Sequence, residues 1–142
     1  MYTIRQARPA DYDSIYAFVR AAFETAKVSD GAEQDFVLDL RQGGLIPELL
    51  IGHIMLTRAF IRRDGASFGT LLLAPLSVAL ERRSRGVGAA LVREALGRAK
   101  TLGHTSVVLV GDPAYYERFG FRAAAPVAYP GVPGGYTLAC EL

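Results

Sequence analysis

Between Gly69 and Val110 the chain reads strand, short basic glycine loop, helix, strand, and this order limits the fold more than any other stretch. The apolar run Gly69–Leu80 leads into Arg83-Ser84-Arg85-Gly86-Val87-Gly88-Ala89. From Val87 to about Leu102 apolar residues recur at helical spacing (Val87, Leu91, Val92, Ala95, Leu96, Ala99), with Gly103 as the stop. Ser106–Val110 is then a continuous apolar strand. Two strands joined through a helix lie parallel in one sheet, with the helix on one face. The N–H groups at a helix start are unpaired and carry the positive end of the dipole. Gly86 and Gly88 keep side chains away from those amides, and Arg83 and Arg85 add permanent charge and fork-shaped donors. The loop therefore reads as a pyrophosphate site. It has neither the Gly-Lys-Ser/Thr ending of a Walker loop nor the third glycine of a dinucleotide fingerprint.

The rest of the sequence narrows the class. At 142 residues, 51% apolar and 21% charged, the chain is expected to be one globular domain, residues 1–142, with a full core. A net charge of +2 is too small to imply a nucleic-acid partner, and the arginines cluster at 58–63 and 82–85 instead of forming one stripe. No apolar run reaches the ~18 residues of a membrane helix. The single Cys140 excludes an internal disulfide, and the N-terminus has no apolar leader. These features predict a cytoplasmic protein with no membrane partner.

The remaining elements follow from periodicity and punctuation. Tyr2–Ala7 predicts a first strand, ended by Pro9. Asp11 is placed to cap a helix bearing Ile15, Phe18, Val19, Ala22, Phe23 and Ala26 on one face. Phe36, Val37 and Leu40 predict a shorter second helix ended by Gly43-Gly44, with Glu33, Asp35 and Asp39 on its other side. Leu49–Leu56 and Ala59–Ile61 read as strand, and Arg62-Arg63-Asp64-Gly65 as a hairpin turn into Ser67–Val78. Pro75 predicts an irregular, splayed point in that last strand, because proline cannot donate to a ladder. Asp112-Pro113 opens a short helix stopped by Gly120, residues 122–135 read as loop, and Tyr136–Cys140 as a final strand. The whole is a mixed α/β (α+β) pattern. Cys140 reads as a small core residue, Arg58, Arg62 and Arg63 as a solvated hairpin cluster, and His53 as a hydrogen-bonded strand residue. His53 and His104 lack the spacing and partners of a metal site.

Arg83-x-x-Gly86-x-Gly88, then a helix, a strand and Tyr116-Glu117-Arg118-Phe119-Gly120-Phe121, resembles the GCN5-related N-acetyltransferase (GNAT) family. The fuller string Leu76-Ser77-Val78 … Gly111-Asp112-Pro113-Ala114-Tyr115-Tyr116-x-Arg118-Phe119-Gly120-Phe121 is similar to its YhbS-like bacterial subgroup. The resemblance implies a mostly antiparallel sheet of about six to seven strands flanked by about four helices, splayed at an acyl-CoA site. It implies acetyl-CoA as cosubstrate, no metal, and direct transfer to a primary amine of a small molecule or protein. By the same resemblance the Leu76-Ser77-Val78 stretch binds the pantetheine arm through the backbone of Leu76 and Val78. Arg83, Ser84, Arg85, Gly86, Val87, Gly88 and Ala89 hold the pyrophosphate. Asp112 either meets the CoA arm, where many members use asparagine, or only caps its helix. Tyr116 matches the tyrosine that protonates the departing thiolate, and a phenol near pKa 10 against a thiol near 8.5 leaves that transfer close to balance. The base for the amine is left among Glu33, Glu48, His53 and water. The family's hairpin turn is missing from Pro47–Ile54, as if the strands of the 45–56 region were merged or trimmed beside the acceptor. Two other readings compete: a non-catalytic acyl-CoA-binding or sensing module, and an acetyltransferase of aminoacyl-tRNA, which the small net charge disfavours. Pairing of two copies into a homodimer through an edge strand is common for such sheets.

Overall fold

The structure, a computed structural model, describes residues 2–22, 34–42, 49–125 and 127–142. Seven strands and three α-helices are present among them: β1 (Tyr2–Gln6), α1 (Tyr12–Ala22), β2 (Gln34–Gln42), β3 (Leu49–Arg63), β4 (Ala66–Val78), α2 (Val87–Thr101), β5 (Ser106–Val110), α3 (Pro113–Tyr116), β6 (Arg122–Ala123) and β7 (Thr137–Glu141). The strands are ordered β1-β2-β3-β4-β5-β7-β6, and β4–β5 is the parallel pair the crossover predicts. The mixed, mostly antiparallel sheet matches the expected fold class. The chain divides into two compact units, Met1–Thr57 with Ala74–Ala95, and Arg58–Leu73 with Leu96–Leu142.

In the first unit β1 runs antiparallel to β2 (Ile4↔Leu40) and β2 antiparallel to β3 (Leu38↔Ile54). Ile51 to Leu56 of β3 are all buried, because the strand is covered on both faces. Met55 packs against Ile15 of α1, with Ala7 and Leu50 around them. On the opposite face Gly52 lies so close to α2 that an added Cβ would stand 2.8 Å from both Val87 Cγ1 and Leu91 Cδ1. Asp11 stands directly ahead of α1. Its carboxylate accepts from Arg5 Nη1 at 2.7 Å and from the Arg8 amide at 2.8 Å, closing the 3₁₀ turn Pro9–Asp11 ahead of the helix.

The predicted second helix is instead the strand β2. Gln34–Gln42 carries apolar residues at 36, 38 and 40 as well as at 36, 37 and 40, so both periods fit, and pairing on both edges decides for the strand. The same finding corrects the merged hairpin. Its first strand is β2, and the second starts at Leu49, so the two strands are separate elements paired antiparallel. Glu33 and Glu48, with Phe23, Ala26, Gly43 and Gly44, lie outside the described residues.

In the second unit Asp64 (φ 49°) and Gly65 (φ 80°) make the two-residue hairpin turn between β3 and β4, with the paired positive φ of a type I′ turn. β4 pairs with β5 through Leu71↔Val107 and Leu72↔Val108, and β5 with β7 through Val107↔Cys140. Leu71, Leu73, Ala99, Val107, Leu109, Phe121 and Leu138 form its buried apolar set. Cys140 sits in that core as expected, its thiol near the Phe119 carbonyl (3.7 Å), and burial pushes its pKa up. The stretch 122–135, read as loop, contains the two-residue strand β6, which pairs with β7.

Candidate functional site

The first unit holds the predicted donor loop intact. β4 passes through Pro75, where the Ala74–Pro75 peptide is cis, and ends at Val78. The chain stays attached to β3, since the Ala79 amide donates to Ile51 O at 2.9 Å. A 3₁₀ turn, Leu80–Arg82, then carries it into Arg83, whose Nε donates to Val78 O at 3.4 Å. Ser84 (φ 60°) and Gly86 (φ 82°) take left-handed backbone, which reverses the chain into α2. The first bond of α2 is Ala90 N to Gly86 O, 3.0 Å. The amides of Val87, Gly88 and Ala89 precede it, at the open end of the helix.

Arg83, Ser84, Arg85 and Gly86 are exposed, whereas Val87 is 5% exposed and anchors the loop from beneath. A Cβ at Gly86 would meet nothing within 4 Å, so the loop is open at that position. An exposed rim with two guanidinium groups, a left-handed glycine and free helix-end amides is what a pyrophosphate requires. The close seat of Gly52 on Val87 and Leu91 sets the height of this helix start above β3. Sequence reasoning missed Gly52. Its only signal was a glycine inside a strand pattern, which often marks close approach.

Leu76 and Val78 are partly buried and Ser77 is 2% exposed. The Ser77 hydroxyl and His53 Nδ1 have no hydrogen-bond partner in the structure. His53 is therefore not the hydrogen-bonded strand residue that was expected. Burial lowers its pKa to about 4, so the ring is neutral at pH 7. At 1% exposure the imidazole does not reach solvent, and it is a poor acceptor for an ammonium proton near pKa 10.

The second unit holds Asp112 and Tyr116. The Asp112 carboxylate accepts from the Ala114 amide at 2.9 Å, with Pro113 at the first position of α3, so it acts as the N-cap. Tyr116 is wedged among aromatic rings, edge-on to Tyr115 at 4.9 Å and to Phe121 at 5.8 Å. Gly111 lies under its ring, where an added Cβ would be 2.7 Å from Cε2. Arg118 locks the neighbouring ring from above, its guanidinium 4.9 Å from the Tyr115 centroid and its Nε on Tyr115 O at 2.9 Å. Gly120 (φ 92°) ends the segment.

Burial, with the neighbouring Tyr115, pushes the Tyr116 phenol up to about 12. The near-balanced proton transfer expected from an ordinary phenol is thereby corrected. A phenol raised this far gives up its proton less readily to a thiolate of about 8.5 than an ordinary phenol does.

Comparison with known proteins agrees with this picture. The family described as acetyltransferase (GNAT) domain matches residues 3–124. The uncharacterized N-acetyltransferase YhbS of Escherichia coli K12 is 36% identical over 129 residues, covering 86% of this chain and 74% of that protein. The crystal structure of YhbS from Escherichia coli in complex with CoA superposes with a TM-score of 0.83 at 26% identity, over 99% of this chain and 81% of that one. A GNAT family acetyltransferase from Brucella melitensis, in complex with acetyl-CoA, gives 0.73 at 29% identity, over 96% and 94% of the two chains.

Proposed function

Because this chain belongs to the GNAT acetyltransferase family, we propose that it transfers an acetyl group directly from acetyl-CoA to a primary amine of a small molecule or protein. The observation that carries this reading is the loop Arg83–Ala89. There the open amides of α2, the clear space at Gly86 and two exposed arginines form a cradle for the cosubstrate's pyrophosphate. The complexes of similar proteins with CoA and acetyl-CoA support the same assignment. The pantetheine arm takes the backbone of Leu76 and Val78, with Ser77 between them, in the manner of an added strand. The neutral amine attacks the thioester carbonyl, and a strand amide steadies the oxyanion.

Tyr116 has the donor role. As charge develops on the sulfur its hydroxyl hydrogen-bonds the thiolate, and a pKa raised to about 12 keeps that proton in place at neutral pH. Asp112 acts first as the cap that holds α3, and through it Tyr116, in position. The test combines binding and turnover. Calorimetric titration is expected to show acetyl-CoA binding that acetyl-pantetheine, without the pyrophosphate, fails to reproduce. On an amine panel Tyr116→Phe is expected to lose about 10- to 100-fold in kcat with little change in acetyl-CoA KM. Tight binding with no turnover on any amine would convert the reading to a non-catalytic acyl-CoA module. Absence of binding would remove both.

A further inference from the structure

Val110, Tyr129 and Tyr136 are each between 45% and 53% exposed, and the backbone of the second unit brings them to one place. Val110 ends β5, and its register partner on β7 is Thr137, the residue after Tyr136. Tyr129 is drawn to the same point, because its amide donates to Thr137 Oγ1 at 3.3 Å. Resting on the acetyl-transfer reading, we propose that these three side chains bind the apolar body of the amine acceptor. The preferred acceptors are then small arylalkyl monoamines.

Position ties the patch to the chemistry. The Tyr136 carbonyl accepts from the Gly111 amide at 2.9 Å, and Gly111 lies under the Tyr116 ring. The patch therefore begins one hydrogen bond from the segment that carries the phenol assigned to the leaving thiolate. An acceptor nitrogen has to reach the carbonyl carbon bonded to that sulfur, so the acceptor's body rests beside Tyr116. The nitrogen bonds to the acetyl carbon as the C–S bond breaks. Of the two protons the ammonium gives up, one ends on the CoA thiol and the other passes to solvent.

The backbone under Tyr129 is stiff. Val132 donates to Tyr129 O at 3.1 Å, with Pro130 and Gly131 (φ 81°) at the central positions of a type II turn. Such a turn makes no demand for an aromatic residue at its first position. Tyr129 thus stands on backbone that is already ordered, and an arriving ring costs little further loop entropy. Exposed aromatic and aliphatic groups held together in this way mark a binding surface.

Charge then selects the ligand. From Phe119 to Cys140 the chain has no aspartate or glutamate, and Arg122 is its one charged residue. The Asp112 carboxylate, next to Gly111, is occupied as the cap of α3. The second ammonium of a diamine finds no carboxylate in that segment and meets an arginine instead. A flat apolar body covers two tyrosines and a valine.

The experiment pairs steady-state kinetics with an NMR titration of the ¹⁵N-labelled full chain. Phenethylamine should be acetylated with kcat/KM at least about tenfold above propylamine and spermidine. Tyr129→Ala and Tyr136→Ala should each raise its KM at least about fivefold, more than they lower kcat, and Tyr129→Phe and Tyr136→Phe should restore most of that loss. Both side chains are half exposed, so the variants should fold, with Tm within about 4 °C of the parent. Saturable shifts at the Val110, Tyr136 and Thr137 amides on adding phenethylamine report the same site without turnover. Those shifts with no acetylation of any amine would remove the transfer reading and keep the apolar site. Absence of the shifts overturns the proposal, as do equal use of spermidine or propylamine and alanine variants that retain the parent KM.

Discussion

Tyr116 and Gly111 act as one device. The phenol is held by rings on two sides and by a backbone that approaches its face where no Cβ stands. Gly111→Ala would drive a methyl into a rigid ring at 2.7 Å, and the ring has to tilt because backbone cannot yield as cheaply. The expected result is a fall in kcat of about tenfold or more with acetyl-CoA affinity within about twofold, since the loop proposed to hold the pyrophosphate, Arg83–Ala89, is built elsewhere in the chain. Steady-state kinetics beside calorimetry checks it, and an equal loss in both would show that Gly111 supports the fold and not the donor geometry. In the sequence Gly111 stood within a matching string with no role attached. Its role is a distance, and distances to residues five positions on depend on how α3 folds back.

At the scale of elements, the strand–loop–helix–strand order was legible from residues 69 to 110 because each piece carries its own signal. An apolar run interrupted by Pro75, a helical apolar face and the glycine stop at Gly103 are local facts. β2 was not legible. Its apolar residues satisfy two periods, and what selects the strand is hydrogen bonding to β1 and β3, which lie outside the segment itself. The seat of α2 on β3 is also an element-level property. Gly52→Ala places a methyl 2.8 Å from Val87 and Leu91, and Val87, β-branched, cannot swing aside freely. The helix start should lift, costing about 1–3 kcal/mol in urea unfolding and weakening acetyl-CoA binding several-fold, while Gly97→Ala, at a helical site where a Cβ meets nothing within 4 Å, is the control. Unchanged CoA affinity in a destabilised Gly52→Ala protein would detach the loop from this packing.

For the molecule as a whole, His53 links stability to pH. Its folded pKa of about 4 lies below the 6.5 of an unfolded histidine, so the unfolded chain binds the proton more readily. The neutral ring's contribution is fully present above pH 6.5 and is lost as pH falls toward 4. Between pH 7.5 and pH 5 this group alone should lower unfolding free energy by about 2 kcal/mol. Urea titrations at the two pH values measure it, and His53→Phe should flatten that dependence even if it alters stability at pH 7.5. A slope that is the same in the variant would assign the acid sensitivity to other groups. No helix among the described residues is long and apolar enough to cross a membrane.

The sequence alone determined the parallel crossover, the basic glycine loop that opens α2, and the capped α3 with its tyrosine. Each depends on residues adjacent in the chain and on backbone preferences that glycine, proline and aspartate impose locally. Only the tertiary structure decided that residues 34–42 pair as a strand, that Asp11 turns back to Arg5, and that His53 is buried and neutral. It alone buried the Tyr116 phenol and so raised its pKa to about 12. These are consequences of burial and of contacts between segments far apart in sequence, where desolvation and partner geometry outweigh local propensity.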